Sequence, residues 1–324
     1  MKFAIYGAGA IGALLGARLG EAGHDVTLVA RGPHLAAMRD NGLIIQSGLF
    51  GEKRYQVKAT DQPEEIGAVD YVILGVKAHT IPAIAPRVAS LLGPETAVLS
   101  LQNGLPWWYF HGALGDDEPL RAADPDGVVE RHIPSARAIG SVAYCSCSLA
   151  APGVVSHTQF NRFPMGEPDG SHSERLRLLS EAFQAAGFKA PIRNDIRQEL
   201  WVKLLGNGAF NPISALTHKT IPEIVNYPLT CDLVRSLMVE IHETAAAAGV
   251  QIAFSMEKRI EGSRASGAHK TSMLQDLEAG RTSEIDQIAG AIVELADRYN
   301  VPVPAVKAIY AATRLRFETL VKLV

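Results

Sequence analysis

The sequence is short of several features that would identify its class at once. Only 3 of its 324 residues are cysteines, so a disulfide framework is not expected. No uncharged apolar run approaches the roughly 18 residues that a membrane span needs. The 31 basic side chains against 34 acidic ones leave a net charge of −3, so no basic excess is available for the phosphates of a nucleic acid. We therefore expect neither a membrane nor a nucleic acid as partner.

The three cysteines, Cys145, Cys147 and Cys231, form an odd set. The spacing of the first two matches neither a zinc knuckle nor a C-x-x-C redox pair. We therefore predict no metal site and a protein of the reducing cytoplasm. A secretory signal is the alternative at the N-terminus, where residues 1–17 are mostly apolar, but Arg18 interrupts the stretch where it should continue.

Apolar residues make up 47% of the chain, which is enough for a large core, and the length suggests two domains at about 150 residues each. The first half alternates short apolar runs with helical stretches, a pattern that predicts βαβ units around a parallel sheet. The predicted strands are residues 3–6, 26–29, 71–76, 97–101 and 137–143, and the predicted helices are 11–21 and 80–92.

The second half has a different period. Beyond about residue 195 apolar residues recur every three or four positions, as at Leu233, Leu237 and Ile241, which predicts helices. We therefore predict an α/β fold with an N-terminal Rossmann-like dinucleotide-binding domain over residues 1–194 and a C-terminal all-α domain over residues 195–324. Residues 116–135, rich in Asp, Pro and Gly, are predicted as a loop.

A glycine motif, Gly7-x-Gly9-x-x-Gly12, directly follows the first predicted strand and opens the first predicted helix. Gly7 suits a tight turn, Gly9 lets the backbone approach a pyrophosphate, and Gly12 lets the helix pack on the strand. The helix N-terminus attracts the anion. The motif therefore predicts a dinucleotide site that includes Ala10 and Ile11, the alternative being a glycine-rich packing turn.

The ends of the predicted strands indicate the cofactor and its surroundings. Arg31 follows the second strand, where an acid would bond a free ribose hydroxyl and a cation suits a 2′-phosphate. This favours NADPH, with a solvated surface arginine as the alternative. Lys77 and Asn103 follow two further strands and should face the nicotinamide half or the substrate. The dipeptide Asn103-Gly104 also fits a simple turn.

Two groups of polar residues in the second half are candidates for catalysis or binding. Lys203, Asn207 and Asn211 recur every four residues and so share one helical face, and Pro212 is expected to end that helix. A solvent-facing polar stripe is the alternative. Further on, a cap at Thr282 or Ser283 would place Glu284 in the first turn of a helix, where the helix dipole favours an ionised carboxylate. A glutamate there is also a common helix stabiliser.

Together these residues resemble the ketopantoate reductase (2-dehydropantoate 2-reductase) family. The matching motifs span nearly the whole chain in the right order, and the helical ones are far more specific than the glycine motif. They are Gly7-x-Gly9-x-x-Gly12, Arg31, Val76-Lys77-Ala78, Gln102-Asn103-Gly104, Glu199-Leu200-Trp201-x-Lys203-Leu204-x-x-Asn207-x-x-x-Asn211-Pro212, Ser272-Met273-Leu274-Gln275-Asp276 and Glu284-Ile285-Asp286.

The resemblance implies a Rossmann domain followed by a helical domain, with NADPH and a 2-oxo acid bound in the cleft between them. It also implies a role for each polar residue. These are Lys203 as general acid, Asn103 and Ser272 near the substrate carboxylate, Asn207 and Asn211 as further substrate donors, and Glu284 as partner of the lysine or of a substrate hydroxyl.

The implied reaction is reduction of 2-dehydropantoate to (R)-pantoate, a step of pantothenate biosynthesis. Ile221 departs from the family pattern, since members can carry another substrate asparagine in that region. A reductase of a different 2-oxo acid therefore stays open, as does a non-catalytic NADP-binding sensor. The sequence leaves the oligomeric state open, a homodimer being one option.

Overall fold

The structure is a computed structural model that describes residues 1–112, 119–252, 255–265, 267 and 270–321. The chain clusters into two units. The first consists of Met1–Gln102, Trp107–Pro119 and Asp126–Ile196, and the second of Asn103–Pro106, Leu120–Pro125 and Arg197–Val324. Two short segments of the first half thus belong to the helical unit, whereas the sequence predicted a single boundary near residue 195.

The first unit is an α/β structure. Its strands are β1 (Lys2–Tyr6), β2 (Asp25–Val29), β3 (Leu43–Ser47), β4 (Gly51–Tyr55), β5 (Lys58–Thr60), β6 (Val69–Leu74), β7 (Leu92–Ser100), β8 (Ala138–Ser141), β9 (Tyr144–Ala151), β10 (Val154–Arg162) and β11 (Met165–Gly166). Its helices are α1 (Ala10–Glu21), α2 (Gly32–Asn41), α3 (Ile81–Val88), α4 (Val128–His132) and α5 (Glu174–Ala185).

The larger sheet has seven strands in the order β11-β8-β7-β6-β1-β2-β5. All its pairings are parallel except that of the edge strand β11 with β8, and β1 lies between β2 and β6 with Ile5 opposite Leu28 and Ile73. These three side chains are fully buried. The predicted Rossmann-like sheet is therefore confirmed, with each predicted strand present.

A second sheet, in the order β4-β3-β10-β9, was not predicted. Its strand β4 reads Gly-Glu-Lys-Arg-Tyr and exposes four of five residues, so it carries no apolar alternation. The 116–135 loop is also interrupted, since Val128–His132 forms the short helix α4. Residues 113–118 lie outside the described part of the chain.

The helix α1 packs closely on β1 because its residues are small. Gly7 has a φ of +97°, a conformation that favours glycine, and a Cβ on Gly12 would collide with the Gly7 carbonyl oxygen. A Cβ on Gly16 would likewise collide with Leu28 of β2. Gly7 and Gly12 therefore have the turning and packing roles that the sequence predicts for them.

The second unit is helical. Its helices are α6 (Ile196–Thr217), α7 (Ile221–Asn226), α8 (Pro228–Ala247), α9 (Met256–Arg264), α10 (Ser272–Glu278), α11 (Ala291–Arg298) and α12 (Pro304–Val321), with a π-helical turn over Asp286–Gly290 before α11. The all-α prediction is confirmed. Within the described ranges, no helix combines the length and apolarity needed to cross a membrane.

Pro212 does not end its helix, so that prediction is wrong. The helix α6 continues through Pro212 to Thr217. A proline in a helix interior removes one hydrogen bond and costs about 3 kcal/mol in isolation. Here Ile213, Ser214 and Ala215 are buried just beyond it, and this tertiary packing holds the last turns in place.

The α1 packing predicts opposite effects for two alanine substitutions in one helix. Gly12→Ala should destabilise the protein by about 1–3 kcal/mol, because the new methyl group meets a backbone oxygen that cannot move away. Gly20→Ala is the matched control, since a Cβ there meets no atom within 4 Å and alanine is the better helix former. Calorimetric melting should show a lower Tm for the first variant and an equal or higher one for the second. Equal melting of both variants would contradict this packing.

Candidate functional site

The loop after β1 has the shape that a dinucleotide phosphate needs. Gly7 and Gly12 are both closely packed, whereas a Cβ on Gly9 would meet no atom within 4 Å. The backbone at Gly9 is therefore open on the side that a ligand would approach. Gly9 is also the N-cap of α1, it offers no side-chain cap, and the first turn of α1 carries no acidic residue.

This arrangement fits a pyrophosphate. The first backbone N–H groups of a helix have no intrahelical acceptor, and the helix dipole favours an anion beside them. Ala10 and Ile11 form the beginning of α1 and so contribute such groups. No carboxylate of the first turn competes for them. The residues of the first unit therefore fit the cofactor that the glycine motif predicts.

Two predicted cations lie at the carboxyl ends of strands in the same sheet. Arg31 is exposed, has an extended backbone, and is the N-cap of α2, two residues after β2 ends at Val29. Lys77 follows β6, which ends at Leu74, and its carbonyl oxygen accepts the Thr80 hydroxyl at 2.7 Å. Both are thus placed at the edge where parallel α/β sheets bind their ligands.

Two further polar side chains near this edge were not predicted from the sequence. The Gln102 amide donates to the Leu74 carbonyl at 2.7 Å, and its own Oε1 is buried without a hydrogen-bond partner in the described part of the chain. In α2, the His34 Nδ1 accepts from the Gly153 amide at 2.9 Å. Burial lowers the pKa of the His34 imidazole, and a hydrogen bond with the Ala8 backbone raises it by a smaller amount. Gln102 stands two residues after the end of β7, a signal that could have found it. Nothing in the sequence singled out His34.

In the helical unit the structure brings three predicted residues together. The Asn103 side-chain amide donates to Glu284 Oε2 at 2.8 Å, and Asn207 Nδ2 lies 3.4 Å from Asn103 Oδ1. Glu284 is buried, while both asparagines are half-buried. A carboxylate and two amides therefore form one connected polar cluster, far apart in sequence but adjacent in this unit. The turn alternative for Asn103 does not account for this contact.

Gly104 explains how Asn103 reaches the cluster. It has a φ of +83°, and a Cβ there would collide with the Gln287 carbonyl oxygen. That oxygen accepts the Leu105 amide at 3.0 Å. The backbone after Asn103 therefore lies directly on the π-helical turn that follows Glu284, and only glycine allows this approach.

Glu284 is not in the first turn of its helix, contrary to the sequence analysis. The π-helical turn begins at Asp286 with Ile285 as its N-cap, so Glu284 directly precedes the cap, and its carbonyl accepts the Ile288 amide at 3.0 Å. The Ser283 hydroxyl accepts the Ile285 amide at 3.1 Å. No residue pattern predicts the π-helical turn, a feature frequent at functional sites.

The remaining predicted residues extend from this cluster along α6. Lys203 is half-buried and stands four residues before Asn207, on the same helical face. Asn211 is buried one turn further along. Ser272 is the first residue of α10 and is exposed, and Thr271 is the N-cap that accepts from the Leu274 amide.

A cavity of about 340 Å³ opens beside this face within the helical unit. Asn207 and Asn211 line it on one side, and Lys258 and Arg259 of α9 line it on the other. Ile221 also lines it. The cavity therefore combines amide donors with two cationic side chains, a wall suited to an anionic ligand.

Comparisons with known proteins agree with these observations. The family model for ketopantoate reductase PanE/ApbA matches residues 3–170, and the model for the C-terminal part of that family matches residues 195–316. A 2-dehydropantoate 2-reductase from Mesorhizobium japonicum is 46% identical over 318 residues, which are 97% of each chain. Another, from Archaeoglobus fulgidus, is 31% identical and covers 92% of this chain and 91% of its own.

A solved structure is similar over almost the whole chain. A protein from Ralstonia solanacearum MolK2, provisionally named a ketopantoate reductase, matches with a TM-score of 0.92 at 35% identity and covers 98% of each chain. Both halves of the sequence, the fold and the order of the motifs agree. The chain therefore belongs to the ketopantoate reductase family of oxidoreductases.

Proposed function

We propose that the protein reduces 2-dehydropantoate to (R)-pantoate with NADPH, and that Lys203 is the general acid. The observation that carries this proposal is the hydrogen-bonded cluster of Asn103, Asn207 and Glu284. Asn207 belongs to α6, and Lys203 lies on the same face of that helix. The curated relative from Mesorhizobium japonicum, named for this reaction, supports the choice of substrate. The partner in this proposal is a small 2-oxo acid.

The polar residues of the helical unit have distinct tasks in this reaction. NADPH, when bound, supplies a hydride to the 2-oxo carbon, so negative charge develops on the carbonyl oxygen. The Lys203 ammonium stabilises that charge and donates the proton that completes the hydroxyl group. Asn207, Asn211 and Ser272 are neutral donors for the substrate, and neutral donors do not repel the lysine.

Asn103 and Glu284 position the substrate in this account. One N–H of the Asn103 amide is committed to Glu284, which leaves the second N–H for the substrate carboxylate. Glu284 fixes the orientation of that amide, because a carboxylate accepts and an amide nitrogen only donates. The same carboxylate can accept a hydrogen bond from Lys203 or from the distal hydroxyl of the substrate.

The cavity supports one alternative substrate class. A single carboxylate needs few cationic partners, yet both Lys258 and Arg259 line the space beside the two asparagines. Ile221 is apolar, in the region where the resemblance to the family allows a further substrate asparagine. A 2-oxo acid with a second carboxylate would use both features, so a reductase of such a dicarboxylate is the second candidate.

A panel of 2-oxo acids separates the two candidates. We expect the highest kcat/KM for 2-dehydropantoate, because a site with donors for a hydroxyl rejects analogues that leave those groups unpaired. NADPH absorbance should be followed with 2-dehydropantoate, 2-oxobutanoate, pyruvate and 2-oxoglutarate. A higher kcat/KM for 2-oxoglutarate would support the dicarboxylate, and a higher value for pyruvate would overturn pantoate formation.

Arg31 should set the cofactor preference. A charge-assisted hydrogen bond to a 2′-phosphate is worth about 1.5–3 kcal/mol, so Arg31→Ala should weaken NADPH binding by about 10- to 100-fold and leave NADH binding nearly unchanged. Arg39→Ala, at the other end of α2, is the matched control and should keep the preference. Equal use of NADPH and NADH by the unmodified protein would contradict this assignment.

Lys203 should affect the chemistry more than cofactor binding. General acid catalysis contributes about 10²- to 10⁴-fold in rate, so Lys203→Ala should lower kcat by that factor while the Kd for NADPH stays within a few fold. Lys77 is the rival amine, because it follows a strand of the cofactor-binding sheet. A large loss of kcat in Lys77→Ala with near-normal turnover in Lys203→Ala would show that the acid is Lys77.

A further inference from the structure

A group of metal-binding side chains lies in the smaller sheet of the first unit, away from the glycine loop in sequence. Cys145 and Cys147 of β9 and His157 of β10 each offer a ligand atom, and these atoms lie within 4.8 Å of one another. The two sulfur atoms are 3.3 Å apart. No metal site was predicted from the sequence, because the spacing of the two cysteines matches neither a zinc knuckle nor a C-x-x-C redox pair.

Strand pairing explains why the three residues meet. In the antiparallel pair of β9 and β10, His157 lies opposite Cys147. Cys145 is two residues from Cys147 and therefore projects from the same face of its strand. One irregularity in the register follows His157 directly, and Phe160 beyond it has a φ of +61°. The arrangement thus depends on a strand register that spacing along the chain does not show.

The imidazole of His157 is held in a defined orientation. Its Nε2 lies 2.6 Å from the Phe160 carbonyl oxygen, which only accepts, so Nε2 carries the hydrogen. Its Nδ1, which then carries the lone pair, lies 2.8 Å from the Ser47 hydroxyl. The ring is 2% exposed and stacks on Phe50 at 5.5 Å. A histidine that donates its other N–H to a backbone carbonyl is the usual form of a metal ligand.

We propose that Cys145, Cys147 and His157 form a binding site for a thiophilic divalent cation, of which Zn²⁺ is the biological example. Zinc takes thiolate and imidazole ligands at about 2.3 and 2.0–2.1 Å, so its sulfur ligands stand about 3.8 Å apart. The observed 3.3 Å needs only small side-chain movements to reach that value. The Ser47 hydroxyl lies 2.8 Å from Nδ1 and also accepts the Leu49 and Phe50 amides, so metal binding requires a change of the Ser47 rotamer that moves its oxygen off the Nδ1 lone pair. Water completes a four-coordinate site.

Binding involves no change of oxidation state. Each cysteine forms a metal–sulfur bond and releases its thiol proton to solvent, while the neutral histidine releases none. The metal would join neighbouring strands of one sheet and so stabilise the first unit. This site is independent of the proposed reductase reaction, since none of its residues belongs to the glycine loop or to the helical cluster.

The test uses the full chain, reduced and stripped of metal with a chelator. Titration with Co²⁺ should give thiolate-to-cobalt charge-transfer absorption that saturates at one ion per chain, and Zn²⁺ should abolish it. Competition with a chromophoric chelator gives the Kd for Zn²⁺. Absence of the charge-transfer absorption, or oxidation to a disulfide in place of cobalt binding under reducing conditions, would overturn the proposal.

Matched variants locate the site. Cys147→Ser and Cys145→Ser should each weaken Zn²⁺ binding by more than about 100-fold, because even residues that only support metal ligands cost 10- to 100-fold when removed. Cys231→Ser, a buried thiol in the helical unit, is the control and should bind Zn²⁺ normally. Zinc should also raise the Tm of the unmodified protein and of Cys231→Ser, but not of Cys147→Ser.

His157→Gln completes the series and should weaken binding by at least 10-fold. Should this variant fail to fold, because its ring bridges Ser47 and Phe160, the two serine variants and the Tm shifts decide the result. Unchanged Zn²⁺ affinity in Cys147→Ser, or equal loss in Cys231→Ser, would overturn the site. Unchanged affinity in a folded His157→Gln would overturn the three-ligand assignment.

Discussion

The buried carboxylate of Glu284 imposes the constraint on which the helical unit depends. A buried carboxyl group costs free energy unless it has hydrogen-bond partners, and the Asn103 amide supplies one at 2.8 Å. Asn103 can reach it because Gly104 lets the backbone lie against the π-helical turn at Gln287. Asn207 then joins through Asn103. The hydrogen bonds that the buried Glu284 carboxylate requires therefore bring together the polar groups that we propose bind the substrate.

The parts of the fold that follow local rules were predictable. The apolar runs of β1 and β6 are strands because each is buried on both faces in the parallel sheet. The glycine motif was recognisable because each glycine has a separate steric role between a strand and a helix. The polar face of α6 followed from a four-residue period, which does not depend on tertiary structure.

The features that depend on long-range contacts were not predictable. Nothing near Pro212 in the sequence shows the burial that carries α6 past it. The strand β4 is mostly exposed and polar, so its pairing with β3 leaves no apolar pattern. Asn103 and Glu284 are 181 residues apart, and the approach of Cys147 to His157 depends on strand register. Sequence periodicity carries no information about such pairings.

The central claim is that the 2-oxo group reacts beside Lys203, on the face of α6 that bears Asn207. A crystal structure of the protein with NADP⁺ and pantoate tests this most directly, because the 2-hydroxyl oxygen of the product marks the position of the reduced carbonyl. We predict a distance of about 2.7–3.2 Å between that oxygen and Lys203 Nζ. A 2-hydroxyl oxygen bonded to Lys77, or lying beyond hydrogen-bond reach of Lys203, would contradict the account.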